Sequence, residues 1–160
     1  MKTAVITVST SVARGEGEDE SGPKLAGLLE EAGCEITGVD VVPDDREAIE
    51  KRLRELVAQD VRFIFTTGGT GLTPDDVTPE ATEAVIERRA DGFQQAMLAE
   101  GMKHQRLALL TRGVSGIAGQ TLIVNLPGNP KAIDQLVPVL APALNHAADS
   151  LVRSWGDDGS

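Results

Sequence analysis

Residues 66–76 read Thr-Thr-Gly-Gly-Thr-Gly-Leu-Thr-Pro-Asp-Asp and follow directly on the apolar run Phe63-Ile64-Phe65. A short β-branched and aromatic run reads as a buried strand, and the glycines after it let the backbone turn sharply. Successive N–H groups in such a turn form a concave site for an anion, which marks Gly68, Gly69, Thr70 and Gly71 as binding residues. Asp75 and Asp76 follow at once. Carboxylates repel a bare phosphate, so their place beside an anion loop points to a bridging Mg²⁺. The competing reading is a plain strand-to-helix turn, with an aspartate as helix cap.

A second stretch has the same character. Pro127-Gly128-Asn129-Pro130-Lys131 follows the apolar run Leu122–Leu126. It presents N–H groups at a helix start with a lysine on the first turn, although Asn129 and Pro130 also suit an ordinary helix start. Asp44, after Pro43, is the other carboxylate expected to act with Asp76, and both are assigned as metal ligands. Asp44 also stands where a cap for its own helix belongs. Thr78 is the better cap for the helix after Asp76, which leaves Asp76 freer for a ligand. Asp45 and Asp75 read as solvated neighbours. His104 and His146 lie in helix-type contexts away from any nucleophile, zinc lacks ligands, and both the P-loop and the Gly-x-Gly-x-x-Gly patterns are absent. Anion loops and carboxylates without a nucleophile suit phosphoryl or nucleotidyl transfer, which needs positioning and charge stabilisation rather than a covalent intermediate.

Strands alternating with helices must position these loops. Ala4–Val8, Ile36–Val42, Val61–Thr66, Leu107–Leu110 and Thr121–Leu126 read as strands, with residues 9–20 a polar loop and Thr111 to Gln120 a loop of small residues. Helices are expected from Ser21 as N-cap to Gly33, from Asp44 through Val57, from Thr78 past Ile86, and around Phe93 and Met97. A last helical region opens at Asn129-Pro130 and is subdivided by Pro138 and Pro142. The pattern predicts an α/β fold, a three-layer, doubly wound, mostly parallel sheet. Ligands of such sheets bind beyond the strand C-termini, where the polar loops after each strand converge.

Composition bounds the rest. At 160 residues and 41% hydrophobic the chain suits one domain, expected over residues 1–153, with 154–160 a flexible tail whose base Trp155 pins. Aromatics are 2%, so Val, Ile, Leu and Ala must build the core. The single Cys34 excludes an intrachain disulfide, and no apolar run approaches the ~20 residues of a membrane span. A cytoplasmic protein with no membrane partner is expected. A net charge of −10 argues against nucleic acid. It also requires an anionic ligand to be neutralised locally, with Arg14, Arg112 and Lys131 as candidate cations.

Residues 66–82 and the string Arg112 to Lys131, Arg-Gly-Val-Ser-Gly-Ile-Ala-Gly-Gln-Thr-Leu-Ile-Val-Asn-Leu-Pro-Gly-Asn-Pro-Lys, resemble the signatures of the MogA/MoaB family of molybdenum cofactor biosynthesis, which includes the gephyrin G domain. The Asp19-x-Ser21-Gly22-x-x-Leu25 pattern and the Pro43-Asp44 step match as well, so the resemblance covers nearly the whole chain. It implies the molybdenum cofactor biosynthesis protein-like fold and Mg²⁺-assisted adenylylation of molybdopterin by ATP, with release of pyrophosphate. It implies catalytic roles for Asp44 and Asp76, ligand contacts from Gly68 to Gly71, Thr78, Ser115, Gly116 and Pro127 to Lys131, and a trimer or hexamer. The chain departs from the family at Val12 and Ala13, where Asp and Arg are expected after the first strand, and Arg14 stands one place further on. Two other readings stay open: a nucleotide pyrophosphatase of the CinA type, which shares a similar glycine string, and a paralogue that binds molybdopterin without turnover.

Overall fold

The computed structural model describes residues 1–153, and the expected tail with Trp155 lies outside the described residues. The elements run β1 (Lys2–Val8), α1 (Thr10–Ala13), α2 (Ser21–Glu31), β2 (Glu35–Val42), α3 (Arg46–Ala58), β3 (Phe63–Thr67), α4 (Thr78–Val85), β4 (Arg88–Arg89), α5 (Gly92–His104), β5 (Ser115–Ala118), β6 (Thr121–Leu126), α6 (Pro130–Leu140) and α7 (Leu144–Val152). The six strands form one sheet in the order β2-β1-β3-β6-β5-β4. β2, β1, β3 and β6 are parallel, and at one edge β5 pairs antiparallel with both β6 and β4.

The three layers follow from strand periodicity. Successive side chains point to opposite faces, so a strand covered on both faces reads as continuously apolar. Val5, Phe63, Phe65, Leu122, Val124 and Leu126 enter one core with Leu25, Leu29, Ile133 and Leu136 from α2 and α6. Their alternates Ala4, Ile6, Ile64 and Ile123 enter the other with Ile49 and Leu53 of α3 and Val85 of α4. β2 is the exposed-edge exception, with no buried residue in its pattern. The chain leaves β1 for β2 on one side and then returns to β3 on the other, so the switch of strand order lies between β1 and β3. The crevice of such a sheet forms at that point.

Several expectations are corrected. Leu107–Leu110 is a 3₁₀ turn (Arg106–Leu110), not a strand, and Leu107 and Leu109 are exposed at 68% and 58%. The place beside β6 goes instead to β5, from the segment expected as a small-residue loop. Residues 9–20 are not wholly loop, because α1 forms at 10–13 with Ser9 as its cap. Pro138 does not subdivide α6. It sits on the exposed face, while Ile133, Leu136 and Val137 are buried and hold the helix to the sheet. Ser21 is the first residue of α2 rather than its cap; Glu20 holds the cap position without a side-chain bond, and Asp19 Oδ1, one residue earlier, accepts from Gly22 N at 2.9 Å. Among the described residues no helix is long and apolar enough to cross a membrane.

Phe63 and Phe65 stack in a tilted pair, centroids 5.9 Å apart, directly before the glycine loop. Phe65 is wholly buried. Phe65→Ala is expected to cost about 3–5 kcal/mol, read as a lowered urea midpoint with an unchanged slope. A loss below about 1 kcal/mol would mean that this core relaxes around the cavity.

Candidate functional site

The loop after β3 turns on two glycines in the left-handed region, Gly68 at φ 99° and Gly69 at φ 70°. A Cβ on Gly68 would collide with the Val8 carbonyl, so the loop can lie against β1 only with glycine there. Four consecutive carbonyls are then held from behind. Thr78 Oγ1 donates to Gly68 O at 3.0 Å and Thr78 N to Gly69 O at 3.1 Å. Arg112 N donates to Thr70 O and Arg112 Nε to Gly71 O, both at 2.8 Å. In a trans peptide the N–H points opposite to the C=O. Turning these carbonyls inward therefore turns the N–H groups of Gly69, Thr70, Gly71 and Leu72 outward. Among the described residues none of those four has an acceptor.

The loop after β6 repeats the device. Thr67 Oγ1 donates to Pro127 O at 2.8 Å, and Ser21 Oγ donates to Gly128 O at 2.6 Å. The N–H groups of Gly128 and Asn129 are thereby freed. The Asn129 side chain accepts from Lys131 N at 2.9 Å and caps α6. Gly128 packs on Gly68, where a Cβ would stand 3.3 Å from the Gly68 Cα. The two loops meet at these two glycines, and a cleft opens on either side of the junction.

One cleft, of about 350 Å³, runs from Gly68–Gly71, Asp76 and Pro127–Asn129 to an apolar wall of Met97, Leu98, Leu107, Ala108 and Leu110. The other, also about 350 Å³, is lined by Thr7, Ser9, Asp19, Ser21 and Thr67, and shares Gly68 and Gly128 with the first. These volumes suit small-molecule ligands. Gly101 lets the 3₁₀ turn approach α5, since a Cβ there would stand 3.0 Å from the Ala108 Cβ. That glycine inside a helical pattern is the one sequence signal for a wall that the residue types otherwise hide.

The two carboxylates stand beside the glycines of the first loop. Asp44 Oδ2 accepts from Thr10 N at 3.0 Å and Thr10 Oγ1 at 2.9 Å, while Oδ1 lies 3.3 Å from where a Gly69 Cβ would be. Asp44 is thus not the cap of α3. That position falls to Asp45, which makes no side-chain cap bond. Asp76 Oδ2 accepts from Thr73 N at 3.2 Å and Thr73 Oγ1 at 2.9 Å, and lies 2.8 Å from where a Gly71 Cβ would be. Oδ1 of each carboxylate has no donor among the described residues. One free hard oxygen on each fits Mg²⁺, which takes few protein ligands and completes its shell from phosphate and water. No group of three metal-binding side chains forms among the described residues, so the ligand itself must complete such a shell.

The other expected residues divide. Gly68 to Gly71, Asp76, Pro127, Gly128 and Asn129 line the first cleft, and Lys131 is exposed at the start of α6. Thr78, Ser115 and Gly116 lie behind it. Thr78 is fully buried with its hydroxyl committed to Gly68 O, and it is not a cap. Ser115 Oγ, buried, accepts from Gln94 Nε2 at 2.8 Å, and Gly116 packs against Ile86. Arg112, expected as a cation for the ligand, spends its guanidinium on the loop. Besides Gly71 O, it donates to Asp76 O and Glu80 Oε2, each at 2.7 Å.

The chain matches the family model described as "Probable molybdopterin binding domain" over residues 4–146. It is 39% identical over 159 residues to the molybdenum cofactor synthesis protein cinnamon of Drosophila melanogaster, covering 98% of this chain and 26% of that protein. It is 33% identical to a molybdopterin adenylyltransferase of Helicobacter pylori, covering 94% of this chain and 88% of the relative. The crystal structure of the molybdopterin biosynthesis enzyme MoaB of Thermus thermophilus superposes with a TM-score of 0.89 at 35% identity, covering 96% of this chain and 98% of that one. Three longer curated relatives are spanned for only 21–47% of their length.

Arg112→Lys keeps a charge but loses the planar fork that grips Gly71 O, Asp76 O and Glu80 together. Faster amide exchange across the loop is expected, and unchanged protection in Thr73 and Asp76 would show that the fork is dispensable. The hydrogen bond from Arg112 holds the Glu80 carboxyl below the usual carboxylate range. A group with a lowered folded value stabilises above its unfolded value and loses that contribution as pH falls through the folded one. The Tm difference between wild type and Glu80→Gln should therefore be steady at neutral pH and vanish on acidification. A difference that grows in acid has the wrong sign.

Proposed function

The chain belongs to the molybdopterin-binding domain family, and on that premise we propose that it is a molybdopterin adenylyltransferase of molybdenum cofactor biosynthesis. The phosphate oxygen of molybdopterin attacks the α-phosphorus of ATP. The bond from that phosphorus to the oxygen bridging the α- and β-phosphates breaks, and pyrophosphate leaves. The observation that carries this reading is the row of outward N–H groups from Gly69 to Leu72, joined at the Gly68–Gly128 contact by those of Gly128 and Asn129.

That arrangement suits an in-line transfer between two phosphorylated ligands. Each cleft offers a wall to one substrate, and the junction brings their phosphates together. Fixed N–H dipoles stabilise charge that builds on phosphate oxygens without reorganising during the step. No side chain need act as nucleophile, because the attacking oxygen belongs to the substrate. Lys131 adds a cation on the first turn of α6. Asp44 and Asp76 would hold Mg²⁺ through their free Oδ1 atoms, and the ion would supply neutralisation of phosphate charge that an acidic protein otherwise repels. We place the activity in the cytoplasm, where the free thiol of Cys34 is stable. We also propose a homo-oligomer, most simply a trimer. The exposed Leu107 and Leu109 support it, at 68% and 58%, since apolar side chains grouped at a surface mark contact sites.

Incubation with molybdopterin, ATP and Mg²⁺ should yield adenylylated molybdopterin and pyrophosphate. Binding without product would mean a non-catalytic paralogue, and AMP released without pterin would mean a hydrolase. Asp76→Ala should lower turnover at least a hundredfold, on the order of 3 kcal/mol in the barrier, with Tm near wild type. ATP affinity should weaken in EDTA, and Asp76→Asn should blunt the gain on restoring Mg²⁺ because an amide is the poorer ligand for a hard cation. Wild-type affinity indifferent to EDTA removes the metal from binding. Sedimentation that shows only monomer at micromolar concentration refutes the oligomer.

A further inference from the structure

Behind the glycine loop lies a polar network that neither cleft reaches. Asn125 in β6, Thr66 in β3, and Thr78 and Thr82 in α4 are all buried, at 1% exposure or less. Four polar side chains inside one small core are costly unless each is bonded. Asn125 Oδ1 accepts from Val114 N at 3.0 Å, and Asn125 Nδ2 donates to Thr66 Oγ1 and Thr82 Oγ1, each at 3.0 Å. The Val114 N–H fixes the orientation of this amide, because a flipped side chain would set two donors face to face. Thr82 Oγ1, having accepted from Asn125, donates its proton to Thr78 O at 2.8 Å. Thr78 then donates to the carbonyls of Gly68 and Gly69. One branch from Asn125, through Thr82 and Thr78, thus runs donor to acceptor toward the loop, and hydrogen bonds in such a chain polarise one another.

We propose that Thr82 and Asn125 are positioning residues for the anion-binding loop, acting through Thr78. Asn125 ties α4 to the centre of the sheet, Thr82 relays that tie one turn along the helix, and Thr78 turns the two glycine carbonyls inward. The outward aim of the Gly69 and Thr70 N–H groups thus depends on an amide that touches no ligand. The inference rests on reading this loop as the phosphate site.

The test uses the whole chain in four forms: wild type, Thr82→Val, Thr82→Ser and Thr66→Val. Valine replaces the hydroxyl with a methyl of similar size, and serine keeps the hydroxyl. Thr66→Val removes the other bond of the Asn125 amide while leaving the Thr82 bond to Thr78 in place, so it separates loss of the relay from loss of a buried hydrogen bond. Three quantities are read: Tm, the amide resonances of Gly69 and Thr70, and calorimetric affinity for inorganic pyrophosphate. With an active preparation, kcat and KM for ATP are added. Thr82→Val should shift both resonances and weaken pyrophosphate about tenfold. Thr82→Ser should restore both, and Thr66→Val should lower Tm while leaving them in place. If Thr82→Val lowers Tm as Thr66→Val does but leaves the resonances and affinity unmoved, Thr82 is structural only and the relay is overturned. If pyrophosphate fails to bind even wild type, the functional reading fails, and the resonances alone still decide the relay. Should the valine variant not fold, Thr82→Ala removes the same hydroxyl without an added methyl and carries the same comparison.

Discussion

The planarity of the peptide group is the constraint on which this site depends. A peptide that turns its carbonyl inward must turn the next N–H outward. From Gly68 to Gly71 the fold applies that rule four times in succession, with Thr78 and Arg112 as the donors among the described residues. Around Gly128 it applies it twice more, with Thr67 and Ser21. The donors come from α4, from the segment before β5, from β3 and from α2. The anion site is therefore a property of how the layers pack rather than of the loop alone. This also explains why two glycines take the left-handed region: only there can the chain pass against Val8 while presenting successive carbonyls to α4.

The same constraint accounts for the polar residues in an otherwise aliphatic core. Asn125, Thr66 and Thr82 lie among Ile, Leu and Val side chains, where apolar residues of similar volume would fill space at no desolvation cost. Among the described residues no buried side-chain polar atom lacks a partner, so the network is complete. One branch of it has a direction: from Asn125 through Thr82 and Thr78 the donors run from the central strand to the loop, while the other amide N–H anchors Asn125 to Thr66. Arg112 plays the matching part at the other end, with Glu80 holding its guanidinium while the fork grips two carbonyls.

Much of this was legible in the residues, and what was hidden has a common cause. The parallel strands read directly, the central three because a strand covered on both faces is continuously apolar, and the loops read from their glycines. Thr78 stood at a helix start and was expected to be a cap or a ligand contact, yet it faces backward. Residue type reveals a hydroxyl but not its partner, and Gly68 O lies ten positions away in the sequence. The competing cap reading of Asp44 fails for the same reason, since its donor Thr10 opens α1, 34 positions away. Leu107 to Leu110 looked like a strand because a short apolar run carries no period. The strand beside β6 came instead from Ser115–Ala118, small residues that pair antiparallel and need little side-chain volume at the sheet edge.

The net charge of −10 gives this arrangement its electrostatic sense. Cations near the site are largely engaged within the protein: Arg112 by the loop carbonyls and Glu80, and Lys24 by Asp134. Long-range attraction of a phosphate is therefore weak, and an ordinary surface lysine would add little to it in water. Backbone N–H groups are different. They carry partial positive charge at fixed positions, do not titrate, and act at contact distance, where the local dielectric is low. A site built this way gains little from distant charge and a great deal from geometry. An acidic surface is then compatible with anionic ligands provided the loop carbonyls stay turned inward. Binding therefore depends on Thr78, Arg112, Thr67 and Ser21 as firmly as on the glycines whose N–H groups they free.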